Sequence, residues 1–494
     1  MLRIPGTQKS LCDGASRREF LNVGAISTFG LSLSHALQAS AKSEAGAGFG
    51  VAKSCILIFP YGSPSSHETF DPKPELPDVQ GELKQINSCV PGLDICEGLP
   101  RVANVMDKVT VVRSMTHPYP VHGLAYAVSG LPNYTPELET RPRDRRQWPF
   151  IGSVVDYLDR QNGTPSSAIP RNIGLPWMVN SKTNNPAVNA GPWATFLGAE
   201  YDPVWSDFDG NGLEVAPRNT VGQEQRYKNP FGGTTESGRF SLAPEAQLRK
   251  DISVERLGLR RSLLEHFDRH ARLSDLSNNT RMMDTWQQRA MSILTDNRLR
   301  EALDIGREPM PIRERYGITL FGQACLAARR LIEAGGRFVT VFWDCFGQFA
   351  NGAWDTHQYH YPRMKQLLLP SFDLAYSALL NDLDDRGLLD ETLVICMSEH
   401  GRTPTINSKP GGGREHWSRA YSIALAGGGT ARGKIVGETT RDGGEVQSTP
   451  VSPKDVLATA YHLLGIAPHT TVNDQQDRPH PIAGAGVLRS ELLA

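Results

Sequence analysis

Long apolar runs are missing from this chain: outside the N-terminal segment, nowhere do 18 consecutive residues stay apolar, which excludes a hydrophobic spanning helix in the mature protein. A charge excess of either sign is missing too. Lys plus Arg number 52 against 53 for Asp plus Glu, so no basic field favours nucleic acid as a partner. Cysteine is sparse, seven in 494 residues, and no Cys-x-x-Cys pair occurs, which excludes a zinc ribbon or a thioredoxin-type motif. Cys55 and Cys396 fall inside apolar runs and read as plain buried residues, while Cys89 and Cys96 are candidates for a bridge.

What is present begins with an address. Ser16-Arg17-Arg18-Glu19-Phe20-Leu21 is a twin-arginine motif, followed by a modestly apolar stretch from Val23 to Leu37 and a small-residue cleavage site, Ala39-Ser40-Ala41. Residues 1–41 are thus expected to be a signal peptide and 42–50 a linker, with the chain exported to the periplasm or beyond. Residues 51–494 are expected to form one α/β domain. Twin-arginine export moves folded proteins, often with metal already loaded, which favours a metalloprotein.

Within that domain, strand and helix signals alternate. Ser54–Phe59, Val109–Arg113, Phe338–Phe342, Thr392–Met397 and Tyr421–Ala426 are short apolar runs bounded by turn residues, the pattern of strands buried on both faces. Between them, Thr319 opens a helix closed by Gly335-Gly336. Arg363–Arg386 is a long amphipathic helix kinked at Pro370, and Ser452-Pro453 starts another that Gly465 stops. Such alternation predicts a mostly parallel sheet sandwiched by helices. From about 132 to 311 the pattern weakens, which reads as a large irregular and helical insertion, with helices at Val254–His270 and Arg281–Ile305. Trp177, Trp193 and Trp205 there suit core more than a substrate cleft.

The polar residues gather where the strands end. Ligands bind at the carboxyl ends of strands in open α/β sheets. After the first strand come His67, Glu68 and Asp71; after the second, Thr116, His117 and His122; after Phe342, Asp355, His357 and His360. The run to Met397 delivers Glu399, His400 and Arg402, and Glu415-His416 precede the next strand. Asp and His on one loop offer oxygen and nitrogen donors that a zinc-like or manganese-like ion accepts. The plainer alternative is a set of surface turns carrying polar residues.

At these residues the chain resembles a known group. Asp355-x-His357, Ser398-Glu399-His400-Gly401, and His416 ahead of a strand ending in Gly427-Gly428-Gly429 resemble the second half of the alkaline phosphatase superfamily, which includes the sulfatases. More narrowly, Gly62-Ser-Pro-Ser65, Trp354-Asp-Thr-His357, Gly401-Arg-Thr-Pro404 and Arg414-Glu-His-Trp417 resemble the exported, sulfatase-like family called domain of unknown function 1501. The resemblance implies an alkaline phosphatase or sulfatase-like fold and one or two divalent ions (zinc, manganese or calcium). Asp355, His357 or His360, and His416 match one ligand set and Glu399 with His400 another; His67 and Asp71 are further candidates. Two departures stand out. No Asp ends the first strand, where Pro60, Tyr61 and Gly62 follow Phe59, and the sulfatase nucleophile signature is absent.

The expectation is therefore an exported metal-dependent hydrolase of phosphate or sulfate esters, acting on a small-molecule or polysaccharide substrate. In it Arg402 clamps the anion, His117 or His122 protonates the leaving oxygen, and Thr116, Ser63 or Ser66 is a candidate hydroxyl. The alternative is a catalytically degenerate phosphatase scaffold that binds a sulfated or phosphorylated ligand or a surface partner.

Overall fold

The computed structural model of the protein describes residues 46–164, 169–180, 188–216, 227–243, 297–344 and 353–494. The expected signal peptide, the helix at Val254–His270 and most of the helix at Arg281–Ile305 lie outside the described residues.

Nine strands form the central sheet: β1 (Ser54–Pro60), β2 (Val109–Met115), β3 (Asn172–Leu175), β4 (Val204–Asp209), β5 (Arg239–Leu242), β6 (Phe338–Trp343), β7 (Thr392–Cys396), β8 (Tyr421–Ala426) and β9 (Lys434–Val436). Their spatial order is β9-β2-β8-β7-β1-β6-β3-β4-β5. Pairing is parallel except where β8 meets β7 and β2, and where β5 meets β4. The fold is thus the expected mostly parallel α/β sheet.

Side chains alternate across each strand, and here both sides are buried. Ile56 and Ile58 of β1, with Val339 and Val341 of β6, join one core that includes α2 (Leu320–Glu333) and α3 (Leu369–Asp385). Cys55, Leu57 and Phe59 point the other way, into a core shared with α1 (Ile151–Gln161) and α4 (Pro453–Leu463). Two helical layers around one sheet account for strands without a polar face.

Local signals set the element ends. Thr319 caps α2 by accepting from Gly322 N–H at 3.0 Å, and Ser452 with Asp455 forms a reciprocal capping box on α4. The long helix expected from Arg363 is interrupted: Met364–Leu368 is π-helical, and α3 proper starts beside Pro370.

Two expectations need correction. The stretch from 132 to 311 is more than an irregular and helical insertion, because it supplies β3, β4 and β5 to the main sheet. Asn172-Ile-Gly-Leu175 is too short and too polar to announce itself as a strand, yet it pairs with Phe338–Val341. Cys89 and Cys96 are both free thiols, the first exposed and the second buried, so no bridge joins them. Trp177, Trp193 and Trp205 are core residues, and no helix among the described residues is long and apolar enough to cross a membrane.

A histidine-rich candidate metal centre at the carboxyl edge of the sheet

Register brings the loops together. Pro60 lies opposite Trp343, and Ile58 opposite Cys396, so β1, β6 and β7 run out at the same edge. Because β8 runs against its neighbours, its leading residue Tyr421 sits at that edge too, opposite Met115. His416 therefore arrives at the place where His122, Asp355 and His400 leave.

Two overlapping groups result, His122 with His400 and His416, and Asp355 with His357 and His416, each offering ligand atoms within 4.8 Å of one another. The protons decide what these groups can do. His400 Nδ1 donates to Gly401 O at 2.8 Å, and His416 Nδ1 donates to Pro120 O at 3.3 Å. His122 Nδ1 donates to Glu399 Oε1 at 3.1 Å, and His357 Nδ1 donates to the Glu415 carboxylate. All four rings thus present Nε2 inward with a lone pair in the neutral form.

The inward atoms crowd each other. His416 Nε2 stands 3.1 Å from His357 Nε2 and 3.2 Å from Asp355 Oδ1, while His357 Nε2 is 2.9 Å from the same oxygen. His400 Nε2 is buried without a hydrogen-bond partner among the described residues. Burial and the Arg402 guanidinium hold the His400 pKa well below the usual imidazole range, so this nitrogen keeps its lone pair. Converging lone pairs, with every outer nitrogen fixed by an oxygen, are what a divalent cation's histidine ligands require.

Charge follows the same geometry. Burial alone would lower the His122 pKa, but hydrogen bonds to Asp355 and Glu399 overcome it and raise the value to about 10. Burial works against the Asp355 carboxylate as well, yet the Arg402 guanidinium and His122 hold its pKa well below the ordinary value. Glu399 is fully buried, accepts from Gly62 N–H at 2.8 Å, and is also held ionised against its burial by His122. Its reach ends at His122; it belongs to neither donor group.

Other candidates are placed elsewhere or differently employed. Arg402 is 1% exposed and gives its donors to Ser63 O (3.2 Å), Arg414 O (3.2 Å), Gly62 O and Asp355 Oδ1 (2.5 Å). It orients Asp355 rather than standing open to clamp an anion. His117 donates from Nε2 to Glu399 O at 2.8 Å and accepts from Tyr119 N–H at 3.2 Å, so both nitrogens are committed; burial lowers its pKa to about 4. It is a brace for Glu399, not a free proton donor. His67 bonds to Asp442 O at 2.8 Å, and Asp71 to Lys73 Nζ at 2.9 Å and Thr439 at 2.6 Å. Neither joins the donor groups. Ser63 donates to Ser398 and accepts from His400 N–H, Ser66 accepts from Ser422 N–H, and half-buried Thr116 is tied through its backbone to Val451.

Some contributors are residues to which the sequence assigned no task at the site. Gly62 has φ of +90°, and a Cβ there would meet Asp355 N at 2.5 Å; Gly413 lies so close that a Cβ would meet His357 O at 2.0 Å. Tyr61 stacks on His122 with ring centroids 5.3 Å apart. Glu139 bonds to Tyr61, and burial, with the nearby Glu399 charge, raises its carboxyl pKa.

Fold and site together define an α/β protein with an imidazole-rich donor cluster at the carboxyl edge of its sheet. The chain belongs to the family described as "Protein of unknown function (DUF1501)", whose model matches residues 52–492. No curated protein matches it. Among solved structures, it is similar to PsFucS1 sulfatase from Pseudoalteromonas sp. (11% identity, 93% of this chain and 75% of that one, TM-score 0.37). It is also similar to Ps i-CgsB in complex with k-i-k-neocarrahexaose (11%, 84% and 72%, 0.37) and to the lipoteichoic acid synthase LtaP from Listeria monocytogenes (9%, 89% and 79%, 0.33).

Proposed function

We propose that this chain is an exported, metal-dependent hydrolase of phosphate or sulfate esters. The observation that carries the reading is the pair of overlapping donor groups, His122 with His400 and His416 and Asp355 with His357 and His416, each ring held from behind by an oxygen. His122, Asp355, His357, His400 and His416 would hold the ion. Four imidazoles to one carboxylate suit zinc, then manganese, better than calcium, which prefers oxygen ligands. When bound, such an ion supplies Lewis acidity to an ester oxygen and acidifies water.

The remaining residues position and move protons. Arg402 orients Asp355, Glu399 orients His122, and Glu415 orients His357. Glu139 stands beside His122 through Tyr61, and burial raises its carboxyl pKa against the pull of His122, which makes it the candidate to pass a proton to the leaving oxygen. The twin-arginine start supports a periplasmic or extracellular setting, and polysaccharide esters are substrates available there. Assay of the mature protein on aryl phosphate and aryl sulfate with zinc or manganese, beside His416→Ala, tests this reading. Turnover should need both the metal and His416; equal turnover in the two proteins rejects it.

One observation favours a second reading, a binding protein on the same scaffold: the Ser63 hydroxyl and four of the five side-chain N–H bonds of Arg402 are already committed to the protein, and Ser66 Oγ accepts from Ser422 N–H. Stoichiometric metal with no turnover on any ester would support binding alone.

A further inference from the structure

Behind the donor cluster lies a second set of polar side chains closed off from water. Glu68, His360 and Arg414 are fully buried and Thr356 nearly so. Arg414 commits all five side-chain N–H bonds: two to Glu68 Oε1 (3.2 and 2.5 Å), and one each to Thr403 O (3.0 Å), Pro404 O (2.6 Å) and Val79 O (2.6 Å). Its backbone N–H donates to Thr356 O at 3.1 Å. Thr356 Oγ1 is 2.7 Å from His360 Nδ1, and His360 Nε2 faces the other Glu68 oxygen at 3.1 Å, a close polar contact outside hydrogen-bond geometry. The four residues close a ring.

The ring touches the donor cluster through the chain itself. Thr356 stands between Asp355 and His357, and Arg414 directly precedes Glu415 and His416. The two segments leave different strands, and Glu68 comes from a third, the loop after β1. A buried ion pair adds little net stability, because lost hydration offsets the attraction; a role in fixing geometry fits this placement better.

We propose that the Thr356–His360–Glu68–Arg414 ring sets the spacing of Asp355 and His357 against His416, with Glu68 and His360 as positioning residues. The inference rests on the metal reading above. It assigns no contact with substrate.

The test is zinc affinity, read by competition with a chromophoric chelator, in Thr356→Val and Glu68→Gln, with circular dichroism confirming the fold. Each variant should bind zinc about 10- to 100-fold more weakly than wild type. Thr356→Ser should restore the wild-type affinity, and the double variant should lose no more than the worse single one, since one break opens the ring. If Glu68→Gln does not fold, Thr356→Val and Thr356→Ser carry the test. Wild-type affinity in the folded variants overturns the inference while leaving the metal reading intact. A wild-type chain that takes up neither zinc nor manganese overturns the metal reading instead. In that case the imidazole NMR signals of His357 and His416 in metal-free Thr356→Val decide the ring: displaced signals support it, and unmoved ones overturn it.

Discussion

His416 Nε2 lies 3.2 Å from Asp355 Oδ1, and with its Nδ1 proton committed to Pro120 the imidazole brings no proton to that contact. A lone pair facing a carboxylate at this distance is unfavourable until a cation or an added proton sits between them. The cluster is therefore built for positive charge, and His122 carries it when metal does not.

That relationship fixes a pH dependence. His122, raised to about 10 by its two carboxylates after burial is overcome, must release its proton when a metal takes its place. Zinc affinity should rise by about tenfold per unit between roughly pH 7 and 9. Calorimetry in buffers of different ionisation enthalpy should show one proton released, and His122→Asn should remove that proton.

Arg402 should matter for stability more than a surface arginine would. Its removal leaves the Asp355 carboxylate without its buried cation and three backbone carbonyls without a donor. Arg402→Ala should cost about 3–5 kcal/mol in urea unfolding. Arg402→Lys should recover little of it, since one ammonium cannot reach four acceptors. A loss below about 1 kcal/mol would contradict the buried-pair account.

Acid should weaken the fold through two histidines outside the donor groups. Burial lowers His67 and His117 to about 4, so both are neutral in the fold and take up protons more readily when unfolded. Stability should be full above about pH 6.5, decline as pH falls toward 4 and then flatten. The gap corresponds to roughly 3 kcal/mol for each imidazole. Urea unfolding across that range measures it; a flat profile would show that these rings are not buried neutral.

Gly413→Ala should disturb the site without removing any side chain that would hold the ion. The added methyl would lie 2.0 Å from His357 O and must push the Glu415–His357 pair apart. Metal affinity should drop by about 10- to 100-fold, as for other losses of an outer hydrogen bond. Chelator competition reads this directly, and unchanged affinity would show that the loop yields freely.

Much of the architecture was legible because buried strands have nowhere to hide. Ser54–Phe59, Val109–Arg113, Phe338–Phe342 and Tyr421–Ala426 were readable to within a residue or two, since both faces of each strand must be apolar. β3, β4 and β5 escaped because they are short or half polar and owe their place to neighbours far away in sequence. The same distance misplaced side chains. His67 and Asp71 looked like ligands by type and by following β1, but Asp442, Lys73 and Thr439 claim them. Glu139 and Gly413 offered no signal at all; only what lies against them gives them a task.

The sequence by itself determined the layer order, the edge at which the loops gather and the residue types available there, because periodicity and turn chemistry are local. Which nitrogen of each histidine faces inward, and which arginine is free to meet an anion, was settled only by the tertiary structure. Those outcomes depend on single oxygens brought up from strand ends hundreds of residues apart, and no local pattern records where they will be.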